Sequence, residues 1–150
     1  MTERLDVVFE RQGQELGVGD WVEVTQDRVD LFADATEDHQ WIHVDPVRAK
    51  DGPYGGTIAH GFLTLSLVLW LGRGLSPRPP GVRMTVNYGL NKVRFPAPVP
   101  VGSRIRVRVR NLSVEKVADD AVHVVNQFTV EVEGGAKPAC VAEVIARHTF

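Results

Sequence analysis

Between Gly61 and Gly72 the chain runs Phe62-Leu63-Thr64-Leu65-Ser66-Leu67-Val68-Leu69-Trp70-Leu71, with Thr64 and Ser66 as the polar interruptions. Wound as a helix, this run is apolar almost all round, so no single stripe can be turned to a core while the rest faces water. It is also too short to cross a bilayer. It suits an element wrapped by a sheet rather than one lying on a surface, starting near His60 or Gly61 and ending at about Leu71, where Gly72 and Gly74 stop it. That helix is expected to be the buried axis of the fold.

The second half of the chain supplies the sheet. Beyond a Pro/Gly-rich linker at 76–81, strands are expected at 82–86, 90–95, 104–114, 122–132 and 139–148. The clearest alternation puts Ile105, Val107 and Val109 on the core face and Arg104, Arg106, Arg108 and Arg110 on the other. A row of arginines can bind phosphate, but strand periodicity alone produces one, and the solvated face is the favoured reading. Asp119-Asp120 and Gly134-Gly135 mark turns. The proline-rich stretch 95–100 reads as a rigid overpass between strands rather than a peptide ligand.

Ahead of the central helix, 21–25 alternates as a strand, and Thr25 caps a helix over 26–35 that buries Val29, Phe32 and Ala33. Asp45 then caps a short helix with Pro46 at its first position, stopped by Gly52. Helices come early and strands late, so the class is α+β. A chain of 150 residues supports one core and is too short for two, which makes 1–150 a single domain.

Composition narrows the function. Hydrophobic residues at 43% and charged residues at 24% are globular values, excluding wholesale disorder. A net charge of -2 argues against nucleic acid as a partner. Cys140 is the single cysteine, so it can form neither an internal disulfide nor a cysteine-based zinc site, and it is expected to be buried and chemically quiet. The segment 1–14 is polar and lacks a secretory apolar core, and the expected location is cytoplasmic with no membrane association.

Chemistry concentrates between the two early helices, in Asp38-His39-Gln40-Trp41-Ile42-His43, and in the glycine-rich approach Gly55-Gly56-Thr57-Ile58-Ala59-His60-Gly61. A carboxylate and an imidazole in one short turn are an acid–base pair in search of a substrate. The first turn of the following helix offers backbone N–H groups without intrahelical acceptors, suited to a developing negative charge. The ordinary readings stand beside these: a loop Asp or His is often a cap or a solvated side chain, and a glycine before an apolar helix often serves close packing.

The element order, Asp38 and His43, the Ala59-His60-Gly61 helix start and the segment Val93-Arg94-Phe95-Pro96-Ala97-Pro98-Val99 together resemble the MaoC-like hydratase family of hot-dog folds, within it the nodulation protein N-like branch. The R-specific enoyl-CoA hydratases of that family carry a Gly-Asp-x-Asn-Pro-Ile-His pattern, met here by Glu37-Asp38-His39-Gln40-Trp41-Ile42-His43. Asp38 and His43 match; Glu37 stands for Gly, Gln40 for Asn and Trp41 for Pro. The resemblance implies an antiparallel sheet wrapped around a long central helix. It also implies R-specific hydration of trans-2-enoyl thioesters without metal or cofactor, coenzyme A entering as part of the substrate, and a homodimer.

On that resemblance Asp38 and His43 form the catalytic pair holding one water, and the backbone at His60 and Gly61 receives the thioester oxygen. Gln40, Trp41, Lys92 and Arg94 are candidate contacts to the acyl chain or to coenzyme A, with Trp41 closing the acyl tunnel or anchoring its loop in the core or at a dimer contact, and Lys92 and Arg94 open to the commoner reading of exposed strand charges. The substrate is then an acyl-CoA or an acyl-carrier thioester. From the residues alone Asp45 reads as a helix cap, His39 as a surface side chain, His123 and His148 as structural, and the His60 side chain as a donor to a loop carbonyl that fixes the helix entry rather than as a catalytic group. Two other classes fit the same residues: a non-catalytic acyl-thioester binder or partner subunit, and a hot-dog thioesterase.

Overall fold

The computed structural model describes residues 7–76 and 78–150. Residues 1–6 of the polar amino-terminal segment and Pro77 of the expected linker lie outside the described residues. Strand β1 (Glu15–Val18) and the two-residue β2 (Val22–Glu23) lead into helix α1 (Gln26–Thr36), then α2 (Trp41–Val44), α3 (Pro46–Lys50) and the central α4 (Gly61–Leu71). Four long strands follow: β3 (Met84–Arg94), β4 (Arg104–Ala118), β5 (Ala121–Val132) and β6 (Cys140–Thr149). The sheet order is β1-β4-β5-β6-β3, with β2 also on β4, and every pairing is antiparallel.

The local chemistry of the chain explains most of these boundaries. The Thr25 hydroxyl accepts from the Arg28 N–H at 3.3 Å, and an Asp45 carboxylate oxygen accepts from the Arg48 N–H at 3.0 Å with Pro46 behind it. On β4, Ile105, Val107 and Val109 are buried against the helix layer. Their arginine neighbours pair outward, Arg106 with Glu131 and Arg108 with Glu15 and Glu131, while Arg104 pairs with Glu133. That row is an ion-paired strand face. The main core joins Val68 and Leu71 of α4 to Val107, Val109, Phe128, Val130 and Ala142 of the sheet, with Val29 and Val24 closing it from the amino-terminal side.

Three expectations are corrected. The amino-terminal strand is shorter than 21–25, because Val24 and Thr25 turn away to cap α1, and a further strand, β1, precedes it. The two strands expected at 82–86 and 90–95 are one, β3, broken only by register shifts around Asn87–Gly89 and Leu90–Val93. The central helix is not covered on all sides: Leu63, Val68 and Leu71 are buried, but Phe62 is 69% exposed and Leu69 and Trp70 are also exposed. The sheet of one chain covers one flank of this apolar rod and leaves the other open.

Candidate active site

The turn between α1 and α2 is set by an unusual backbone. Glu37 closes α1 with φ 60 and ψ 17, the one non-glycine residue with positive φ among the described residues. This left-handed position is where helices favour glycine, which gives the Gly of the resembled pattern a conformational reason. Asp38 follows at once, and one of its carboxylate oxygens accepts from the Gln40 N–H at 3.4 Å. Trp41 opens α2 and packs edge-on over Gly52, while the Arg48 guanidinium lies 4.4 Å from its ring centre. It anchors the loop.

His43 sits on α2, 7% exposed. Its Nδ1 lies 2.7 Å from the Ile58 carbonyl oxygen, and a carbonyl only accepts, so the proton is on Nδ1 and Nε2 keeps its lone pair. Its backbone is tied as well. The Gln26 side-chain amide donates to the His43 carbonyl at 2.7 Å and to Asp30 at 2.8 Å, and its oxygen accepts from the Thr57 hydroxyl at 2.6 Å. Burial pushes the His43 pKa below the ordinary imidazole value and a nearby His60 charge would add to that, against smaller upward pulls from the Ile58 carbonyl and Asp38. Burial therefore favours the neutral form of the ring, with the lone pair on Nε2.

His60, the residue capping α4, is 3% exposed and stacks on His43 with ring centres 3.8 Å apart and planes 24° from parallel. Its Nε2 donates to the Asp38 main-chain carbonyl at 2.9 Å. One nitrogen of each imidazole and a carboxylate oxygen of Asp38 all lie within 4.8 Å of one another. A water making two hydrogen bonds of ~2.8 Å bridges atoms about 4.6 Å apart, so the group has the span of a one-water site. A metal ion must lie in the plane of each imidazole, ~2 Å from its nitrogen. Near-parallel stacked planes do not meet at that range, so this arrangement suits proton handling better than ligation.

A cavity of about 320 Å³ opens beside His43, walled by Tyr54, Ile58, Ala59, Gly61, Thr64 and the overpass Phe95-Pro96-Ala97-Pro98-Val99. Gly61 is tight here: a Cβ would meet three atoms of the Phe95 ring at 3.3 Å. Close packing thus accounts for the glycine on its own, and the bare N–H groups of the first turn remain beside the same cavity. Asp38 keeps its carboxylate half in solvent and is not in the wall. Gln40, Trp41, Lys92 and Arg94 also stand outside it, Arg94 bonding its guanidinium to the Val93 carbonyl at 2.7 Å.

The other histidines lie outside the group of Asp38, His43 and His60, and His123 Nε2 is buried without a hydrogen-bond partner among the described residues. His39 is exposed and its Nε2 lies 2.8 Å from Asp34, which raises its pKa. His148 bonds the Thr85 hydroxyl at 2.8 Å, and His123 lies against the Tyr88 ring. Cys140 is fully buried, and burial pushes its thiol up to about 11. Gln26 and Thr57, which hold His43, are site residues that sequence reasoning does not reach. A glutamine in the first turn of a helix and a threonine before an Ile-Ala pair carry no sequence signal for a contact across 31 positions.

Comparison with known proteins gives consistent matches. The family profile for the MaoC like domain matches residues 8–133. The 3-hydroxyacyl-thioester dehydratase Z of Mycobacterium tuberculosis is 57% identical over 91% of this chain and 89% of its own length. Nodulation protein N of Rhizobium leguminosarum is 46% identical over 93% of this chain and 88% of its own. Among solved structures, the R-hydratase PhaJ1 of Pseudomonas aeruginosa superposes with a TM-score of 0.68 at 25% identity, covering 90% of this chain and 79% of that one.

Proposed function

Starting from the fact that the chain belongs to the MaoC-like domain family and is an enzyme of the hydratase/dehydratase type, we propose that it interconverts trans-2-enoyl thioesters and (R)-3-hydroxyacyl thioesters. The observation that carries the mechanism is the one-water span between Asp38 and a His43 whose Nδ1 is engaged by the Ile58 carbonyl. In the hydration direction, His43 Nε2 takes a proton from the water while Asp38 orients it. The hydroxide adds to C3, and the electron pair of the double bond moves to the thioester oxygen. Backbone N–H groups at His60 and Gly61 hold that enolate, helped by the positive end of α4. The proton then passes from the pair to C2, closing the balance with no redox partner. The pair titrates as a unit, so the proton is assigned to it jointly.

The cavity at His43 is the acyl site in this reading. Its wall from Tyr54 to Phe95 is mostly apolar, as an acyl chain requires. We further propose that the working unit is a homodimer. Among the described residues β3 pairs only with β6, so one edge of this long strand has free N–H and C=O groups. Met84, Val86, Tyr88 and Leu90 are exposed along it, beside the open flank of α4 with Phe62, Leu69 and Trp70. A second copy would cover both.

The test follows the loss of conjugated-enoyl absorbance when the protein is added to trans-2-butenoyl-CoA and longer homologues. Asp38→Asn and His43→Ala are each expected to lower kcat by about 10²–10⁴-fold with unchanged circular dichroism. Turnover equal to the unaltered protein in either variant refutes the assigned pair. Release of free thiol in place of hydration would indicate a thioesterase, and tight binding without either reaction an acyl-thioester binder.

A further inference from the structure

The side chain of His60 is enclosed on the same side of the site as its backbone, beside His43 and Phe32. It is 3% exposed, its Nε2 donates to the Asp38 carbonyl, and its Nδ1 is buried with no hydrogen-bond partner. The Asp38 carbonyl can only accept, and a protonated Nδ1 would leave a buried N–H unpaired, so the ring is held with its proton on Nε2. His43 is held the opposite way, with its proton on Nδ1. Two stacked imidazoles are thus locked by two carbonyls into opposite tautomers. The far side of His60 is closed by Phe32, with ring centres 5.0 Å apart.

We propose that the His60 side chain is a positioning residue for the Asp38–His43 pair. Its Nε2–H fixes the main chain of Asp38, and its flat ring is the wall on which His43 stacks with a bare Nε2 turned to the water site. This deepens the reading above and rests on it. The titratable groups facing His43 are few: Asp38 from the α1–α2 turn, His60 from the start of α4 and Tyr54 across the cavity. The overpass before β4 and the approach to β6 contribute Phe95, Val99 and Ala139, all apolar. The ring of His60 is therefore a main part of what keeps water and charge off His43.

Two substitutions separate the two roles. His60→Gln keeps an amide donor where Nε2 lies but removes the ring. It is expected to move the acid limb of the kcat/KM profile upward, toward the ordinary imidazole range, because water reaches the exposed face of His43. His60→Phe keeps the ring and removes the donor, and is expected to lower kcat by about 10²-fold through displacement of Asp38, with the acid limb left low. Nitrogen-15 long-range imidazole spectra of the unaltered protein provide a readout independent of activity. They should show His60 protonated on Nε2 and His43 on Nδ1. The reverse tautomer on either ring, an acid limb unmoved in His60→Gln, or unchanged kcat in His60→Phe overturns the proposal. If the unaltered protein hydrates no enoyl-CoA, the proposed reaction fails while the tautomer spectra still decide the role of His60.

Discussion

Gln26 joins three segments that must keep their positions for His43 to keep its own. Its amide holds the His43 carbonyl and Asp30, and its oxygen takes the Thr57 hydroxyl, which is otherwise buried. Thr57→Val removes one neutral bond of 2.6 Å and leaves Gln26 half in water, where its oxygen can find a replacement, so the cost is about 1 kcal/mol. Gln26→Leu removes the bonds to the His43 carbonyl and the Thr57 hydroxyl, with a minor part from Asp30, for about 2 kcal/mol. In a chain of this length that lowers Tm by about 4–8 °C. The double variant loses the shared bond only once and should cost about 2 kcal/mol rather than 3, a coupling of about 1 kcal/mol. Urea unfolding of the four proteins measures the cycle, and steady-state hydration of trans-2-butenoyl-CoA should show kcat down about tenfold in Gln26→Leu as His43 loses its main-chain tether. Additivity within about 0.3 kcal/mol would refute the coupling.

Three further outcomes are expected. Glu37→Gly relieves a left-handed backbone at the end of α1 and should stabilise the protein by about 1 kcal/mol in denaturant unfolding; an unchanged midpoint would remove the conformational account of that position. His43 and His148 both have pKa values lowered chiefly by burial, so the unfolded chain binds more protons than the folded one just below pH 6.5. Stability should therefore fall as pH drops from about 6.5 toward their folded values, and less steeply in His43→Asn; the exposed His39, raised by Asp34, opposes weakly. Leu90→Arg on the open edge of β3 should shift sedimentation from dimer to monomer at micromolar concentration, and a protein already monomeric before substitution would reject the paired-edge assembly.

Much of the fold was legible because it rests on local rules. Thr25 and Asp45 are caps wherever they occur before such helices, Pro46 suits a first turn, and the alternation of Ile105, Val107 and Val109 admits one face. The boundaries of α4 follow from the glycines around an apolar run. The merging of two expected strands into β3 was not legible, because its glycine and polar residues read as breaks when pairing with β6 simply carries the strand across them. Trp41 was open in the sequence between closing the acyl tunnel, anchoring the loop in the core and making a dimer contact, and the contacts it makes within the chain are with Gly52 and Arg48, which no local pattern encodes.

The sequence by itself determined the class of elements and the apolar axis, since these depend on residue type and spacing within a few positions, and it offered Asp38 and His43 as a candidate acid–base pair through their match to the resembled family pattern. Only the tertiary structure decided which nitrogen of His43 carries the proton, that His60 stacks on it, and that Gln26 and Thr57 hold it. Each of these is a contact between segments 15 to 31 residues apart. Such contacts depend on where carbonyls and rings point after the helices have docked on the sheet, and no local pattern encodes that direction.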